Sequence, residues 1–142
     1  MTFGENSVKI NMISEADVIG AISDKHSLDL FKMVALTNAD TETFTGKIKL
    51  SRKQYYSRMS CMTKAGIIKR KNGTYSLTSL GKILYEAEVM IEGALEDFWK
   101  LKAIDSLEDS HRELPEEERN KILDALIGNG QIKEIIVQTV KR

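Results

Sequence analysis

Ten cationic side chains fall between Thr43 and Tyr85 with no Asp or Glu among them: Lys47, Lys49, Arg52, Lys53, Arg58, Lys64, Lys69, Arg70, Lys71 and Lys82. Over the whole chain 21 Lys and Arg balance 21 Asp and Glu, so the remainder carries ten net negative charges, concentrated at 86–97 and 113–118. The zero average hides a segregation of sign. Unopposed ammonium and guanidinium groups on one stretch attract polyanions, and the plainer alternative is a solvated basic surface that happens to cluster. Other chemically capable residues are sparse. Cys61 is the one cysteine, which excludes an intrachain disulfide and any zinc site of several thiolates. Lying near Met59 and Met62, it is read as a packed thiol and not a redox sensor. His26 and His111 are far apart and form no compact ligand set with Cys61, so no metal and no cofactor is expected. The carboxylates after Tyr85 alternate with helix-stabilising Lys and accompany neither a nucleophile nor a glycine-rich phosphate loop. An enzyme is not expected.

The elements that must position the basic set follow from periodicity and punctuation. Residues 1–13 show no clear period and read as an arm, and 14–22 as a short helix capped by Ser14 with Glu15 and Asp17 in its first turn. Over 24–37, Leu28, Phe31 and Val34 recur at helical spacing, with Asp24 or Ser27 able to cap the start. A polar break at 38–41 precedes a short amphipathic helix at 42–49, with Phe44 and Ile48 on one face and Gly46 weakening it. Ser51 then offers an N-cap hydroxyl to 52–64, a run without Gly or Pro in which Tyr55, Met59 and Met62 share a face. Gly66 suits the left-handed residue that ends such a helix. Two strand-like runs, 67–71 and 74–78, flank Asn72-Gly73, the pair that most favours a two-residue hairpin.

From Ser79 the apolar residues Leu80, Leu84, Ala87, Ile91, Ala94, Phe98 and Leu101 follow a three-four alternation, predicting one helix to about residue 107. Ile83, Met90 and Trp99 flank this stripe. A helix of about 28 residues extends roughly 42 Å, further than one small domain covers, so residues 82–109 are read as a dimerisation helix, with Leu84, Ala87, Ile91, Ala94, Phe98 and Leu101 as contacts in a two-fold homodimer. Pro115 is placed at the first helical position before the acidic turn 116–118. That helix carries Ile122, Leu123, Leu126 and Ile127 and stops at 128–130. A last apolar segment around Ile132, Ile135, Ile136 and Val140 reads as helix, with strand as the alternative. The fold class is therefore mainly α with a small β-hairpin, an α+β chain.

Length and composition bound what this can be. One compact domain with an appendage fits 142 residues. The hydrophobic fraction of 42% with 30% charged is ordinary for a soluble protein, and no apolar run approaches a membrane span. Nothing at 1–11 resembles a secretion signal, so the cytoplasm is the expected compartment.

The stretch Ser51-Arg-Lys-Gln-Tyr-Tyr-Ser-Arg-Met-Ser-Cys-Met-Thr-Lys-Ala-Gly-Ile-Ile-Lys-Arg, followed by Asn72-Gly73, resembles the recognition helix and wing of ArsR/MarR-like winged helix-turn-helix transcription regulators, and the layout is similar to that of archaeal winged-helix proteins. The resemblance covers about 23–81 and maps nothing beyond 110. It implies a winged helix-turn-helix at 14–81, followed by the long helix at 82–109; the helical extension at 110–142 rests on its own caps and periodicity. It also implies a nucleoid-associated, sequence-specific regulator on double-stranded DNA, with the helix in the major groove and the wing on the backbone. Arg52, Lys53, Gln54, Tyr56, Ser57 and Arg58 would then face DNA, Gln54 and Arg58 reading adenine and guanine. Lys53, Lys64, Lys69, Arg70 and Lys71, with Asn72 at the wing tip, would hold phosphates. The alternatives are a winged-helix protein-interaction or assembly adaptor and a nonspecific chromatin-associated protein. No residue set points to a small-molecule effector.

Overall fold

The computed structural model describes residues 12–37, 46–109 and 114–138, and the chain divides into two compact units, Met1–Glu86 and Ala87–Arg142. It is mainly helical with one small antiparallel sheet. The arm at 1–11, the polar break at 38–41, Phe44 with the first part of the short helix, His111 and Val140 lie outside the described residues.

In the first unit, α1 spans Glu15–Ala21 and α2 spans Lys25–Leu36. A reciprocal capping box opens α1, with Ser14 Oγ accepting from Asp17 N and Asp17 Oδ2 accepting from Ser14 N. Asp24 caps α2 by accepting from Ser27 N at 3.1 Å, so of the two candidate caps it is Asp24 that serves. The face of α2 that enters the core is Ser27, Leu30, Phe31 and Val34, whereas Leu28 is only half-buried. Residues 46–48 are helical, Lys49 is left-handed at φ 57°, Leu50 is buried, and α3 begins at Arg52. Three residues, 49–51, thus separate this helical stretch from α3.

Helix α3 spans Arg52–Lys64 and buries Tyr55, Met59 and Met62. Ser51 caps it by accepting from Gln54 N, and Gln54 Oε1 accepts in return from Ser51 N, both at 3.1 Å. At its end Gly66 sits at φ 80°, with Gly66 N donating to Thr63 O and Ile67 N to Met62 O, the paired bonds of a Schellman stop. Strands β1, Ile68–Lys71, and β2, Thr74–Leu77, then pair antiparallel with Lys71 opposite Thr74. Asn72 and Gly73 are both left-handed, at φ 54° and 79°, the geometry whose twist matches that of the flanking strands.

Helix α4 spans Ser79–Glu96 and α5 spans Phe98–Asp109. Thr78 ties the start of α4 to the end of α3: its Oγ1 donates to Gly66 O at 2.5 Å and accepts from Gly81 N at 3.0 Å. This draws α4 so close that a Cβ on Gly81 would lie 1.9 Å from Ile67 O, which makes glycine obligatory there. The core of the first unit joins Leu30, Phe31, Tyr55, Met59, Met62, Ile67 and Ile68, with Leu84 and Tyr85 of α4 packed against it.

The expected single long helix is broken. Asp97 interrupts it, its N–H reaching back to Ala94 O while its carbonyl accepts from Leu101 N. Asp is a residue whose short acceptor side chain favours helix starts over helix interiors, and its Oδ1 pairs with Lys100 at 3.5 Å. Nor do 82–109 stand as a separate segment, because the first unit runs through Glu86.

In the second unit, α6 spans Glu116–Leu126 and α7 spans Gly130–Val137. Pro115 is the N-cap of α6 and not its first helical residue, one position earlier than predicted. Residues 128–130 both stop α6 and start α7, since Asn129 Oδ1 accepts from Gln131 N and Ile132 N. The last apolar segment is helical, as its first reading had it. Ile104, Leu123, Ile127 and Ile132 form the core, with Met90, Ala94 and Leu101 packed against it. Ion pairs Arg119–Glu108, at 2.7 Å, and Lys133–Asp124 join neighbouring helices of this unit. No described helix is long and apolar enough to cross a membrane.

Candidate nucleic-acid interface

All eleven residues assigned to a polyanion-binding face lie in the first unit. Arg52, Lys53, Gln54, Tyr56, Ser57, Lys64, Lys69, Arg70, Lys71 and Asn72 are exposed, and Arg58 is half-buried. They do not share one direction. At about 100° per residue, the side of α3 opposite Tyr55, Met59 and Met62 is made by Lys53, Ser57, Ser60 and Lys64, all exposed. Arg52 and Tyr56 lie on one flank, Gln54 and Arg58 on the other. Ser60 was missing from the sequence reading, although the same period, counted from Lys53, finds it.

The two residues best suited to read bases are engaged within the protein. Gln54 closes the Ser51 capping box. Arg58 Nε donates to Asp24 Oδ2 at 3.1 Å, with side-chain exposures of 28% and 48%. Partial burial pushes the Asp24 carboxyl up, but hydrogen bonds from Ser27 and the Arg58 guanidinium outweigh it and hold the group at about 2, below the ordinary 3.8. Asp24 is therefore a standing anion at neutral pH, occupying the guanidinium as a phosphate or guanine would. The two residues are 34 apart in sequence, which no local pattern reveals.

The remaining geometry is simpler. Tyr56, 44% exposed, meets the Tyr55 ring edge-on at 5.1 Å between centroids, which fixes it on the solvent side of a buried anchor. On the hairpin the Arg70 guanidinium lies 5.6 Å from the centre of the Tyr75 ring, its cross-strand partner, an arrangement that holds a cation in place without neutralising it. Lys69 and Lys82 border one cleft of about 540 Å³ with Ser76, Leu77, Tyr85 and Glu86. Ser57, Ser60, Cys61 and Lys64 border another of about 430 Å³ with Ile13 and Asp17.

Cys61 is exposed, correcting the expectation of a packed thiol. Its neighbours Met59 and Met62 are inward, but position 61 falls some 200° from Met59 around the helix. The assigned dimer stripe is also divided. Leu84 packs on the first core and Ala94 and Leu101 on the second, leaving Ala87, Ile91 and Phe98 exposed.

Along α3 and the hairpin Lys53, Lys64, Lys69, Arg70 and Lys71 are exposed, with Asp17 beside Ser57, Ser60 and Lys64 and Asp24 on Arg58, a surface with cations in excess that attracts a polyanion. Compared with protein families, with curated proteins and with solved structures, the chain matches none of them.

Proposed function

We propose that the first unit is a winged helix-turn-helix and that the chain is a sequence-specific double-stranded DNA-binding transcription regulator. The observation that carries this reading is the coincidence of an acid-free cationic stretch with one exposed helix and a two-residue hairpin. Helix α2, the helical residues 46–48, the turn at Lys49 and Leu50, α3 and β1–β2 follow in the order of a helix-turn-helix with a wing. In this reading Lys53, Ser57, Ser60 and Lys64 enter the major groove, and Lys69, Arg70 and Lys71 lie on phosphates. Arg58 reaches a base by exchanging Asp24 for guanine, a swap of one planar acceptor for another.

The test is selection of bound genomic fragments by the purified chain at physiological salt, followed by titration of the best fragment against its scramble. A preference of roughly a thousandfold or more supports a regulator. Uniform weak binding points to a nonspecific chromatin protein, and no binding to an adaptor. Specific affinity should fall with salt at a log-log slope near −0.9 per neutralised phosphate. Arg58→Ala should weaken the selected site more than the scramble, and equal losses would remove it as a base reader. Asp24→Asn should tighten binding several-fold by releasing the guanidinium. The adaptor reading draws its own support from the second unit, which is acidic and leaves large apolar side chains in water.

A further inference from the structure

One segment of the first unit, residues 13–24, borders a single flank of α3. Gln54, Arg58, Cys61 and Ala65 recur at helical spacing and form one stripe along that flank. Asp24, in the turn between α1 and α2, accepts from Arg58 Nε at 3.1 Å. One turn further along α3, Ile13 and Asp17 line a cleft of about 430 Å³ with Ser57, Ser60, Cys61, Lys64 and Ala65. Ile13 Cδ1 lies 3.0 Å from the place that a Cβ on Gly66 would take, so the start of α1 is seated against the end of α3. Both carboxylates are fixed anions. Asp17 Oδ2 accepts from Ser14 N at 3.1 Å while Ser14 Oγ accepts from Asp17 N, and these bonds, the backbone one first, hold its carboxyl below the ordinary 3.8. Asp24 is likewise charged at neutral pH. Helix α1 adds little to the core beside it: Ala21 is its one buried residue, Val18 is only partly covered and Ile19 is 60% exposed.

We propose that α1 and the turn after it make an autoinhibitory contact on α3, in which Asp17 and Asp24 stand in for the phosphates of DNA and weaken its binding. The proposal rests on the DNA reading of α3 and adds a brake to it. An incoming phosphate meets one carboxylate beside Lys64 and another on Arg58, and each must give up its cation or be screened before the phosphate is seated. The two act differently. Asp24 is bonded to one guanidinium and withholds a base reader. Asp17 borders two hydroxyls and an ammonium and opposes charge without reading a base, so it weakens matched and scrambled DNA by the same factor. Position decides its effect. Glu15 carries the same charge on the same helix, but it lies about 200° from Asp17 around α1 and does not border the cleft. Screening over about 8 Å at physiological salt confines each carboxylate to its own side of α1, which makes Glu15 the natural control.

The test is a charge series on the full chain, titrated with the selected genomic fragment and with its scramble at physiological salt. Asp17→Asn keeps an acceptor for Ser14 N, and Asp24→Asn keeps a preferred N-cap residue, so both variants retain the fold, which thermal melts check. Asp17→Asn should tighten both DNAs about threefold, Glu15→Gln, an equal change in net charge, by less than about 1.5-fold, and Asp17→Asn with Asp24→Asn by about tenfold. In a Lys64→Gln background Asp17→Asn should lose most of its gain, as a double-mutant cycle reads. Equal gains from Asp17→Asn and Glu15→Gln would overturn the proposal, since net charge alone would then be at work. So would a gain from Asp17→Asn that survives Lys64→Gln intact. A parent that binds DNA with a flat series removes the brake and leaves the DNA reading standing, whereas a parent and a double variant that both fail to bind remove the DNA reading, and the brake with it.

Discussion

The two units solve opposite problems with the same resources. Met1–Glu86 carries thirteen Lys and Arg against eight Asp and Glu, a net of +5, and Ala87–Arg142 carries eight against thirteen, a net of −5. The first unit completes its core internally, with Tyr55, Phe31, Leu30, Met59, Met62, Ile67 and Ile68 out of reach of water, and shows cations on the helix that this core anchors. Among the described residues the second closes a smaller core of Ile104, Leu123, Ile127 and Ile132, and both units leave large apolar side chains in water, Ile19, Leu36 and Ile83 in the first and Ile91, Leu95 and Trp99 in the second. A surface of one charge sign can wait in solvent for a polyanion at little cost, whereas apolar surface in water is stabilised only by being covered. The sign of the charge, and not the apolar surface that both units expose, is what marks the first unit as the one proposed to meet DNA.

The contrast is tested most severely by deleting side chains from each side of it. Phe31→Ala should cost about 4 kcal/mol, the loss of a buried ring plus its cavity, whereas Ile91→Ala should cost under about 0.5 kcal/mol in a dilute monomer. Urea unfolding of both variants decides it, and comparable losses would break the contrast. Next comes Gly81→Ala, a single methyl forced against the Ile67 carbonyl, expected to cost about 3 kcal/mol by overpacking. A neutral result in a thermal melt would show that α4 is free to draw back from β1. Ser51→Ala removes the cap of α3 and should cost about 1 kcal/mol. Because the Gln54 side chain then loses its reciprocal partner, DNA specificity should change with stability, which compares α3 as scaffold with α3 as reader.

The smallest expected effect is that of acid on Asp24. Its carboxyl is held below the ordinary value, so the stabilisation is fully present above about pH 4 and is lost as pH falls towards 2. With the side chain 48% exposed, screening limits this to under about 1 kcal/mol. Stability of Asp24→Asn relative to the parent, compared at pH 6 and pH 2, should show the difference vanish at the lower value. A constant difference would mean that the Arg58 pair contributes nothing to it.

What could be read in advance was local. Ser51 and Gln54, the Tyr55–Met59–Met62 face, Gly66 and Asn72-Gly73 each act within a few residues, and helix α3, its stop and the hairpin tip appear where their side chains put them. Pro115 was one position off because an N-cap and a first helical residue look alike in sequence. The stripe from Leu80 to Leu101 misled for a different reason. Periodicity says that a side is apolar but not which neighbour covers it, so residues of two separate cores were merged with residues of none.

The sequence by itself therefore determined the sign of each unit's charge, the existence and direction of α3, and the two-residue turn, since composition, caps and left-handed residues act over one helical turn or less. Only the tertiary structure decided that Asp24 holds Arg58, that Gly81 must lack a side chain, and that Leu95 and Trp99 remain uncovered. Each of these depends on which distant surface arrives at a given side chain, a choice made by packing the whole unit and carried by no short stretch of it.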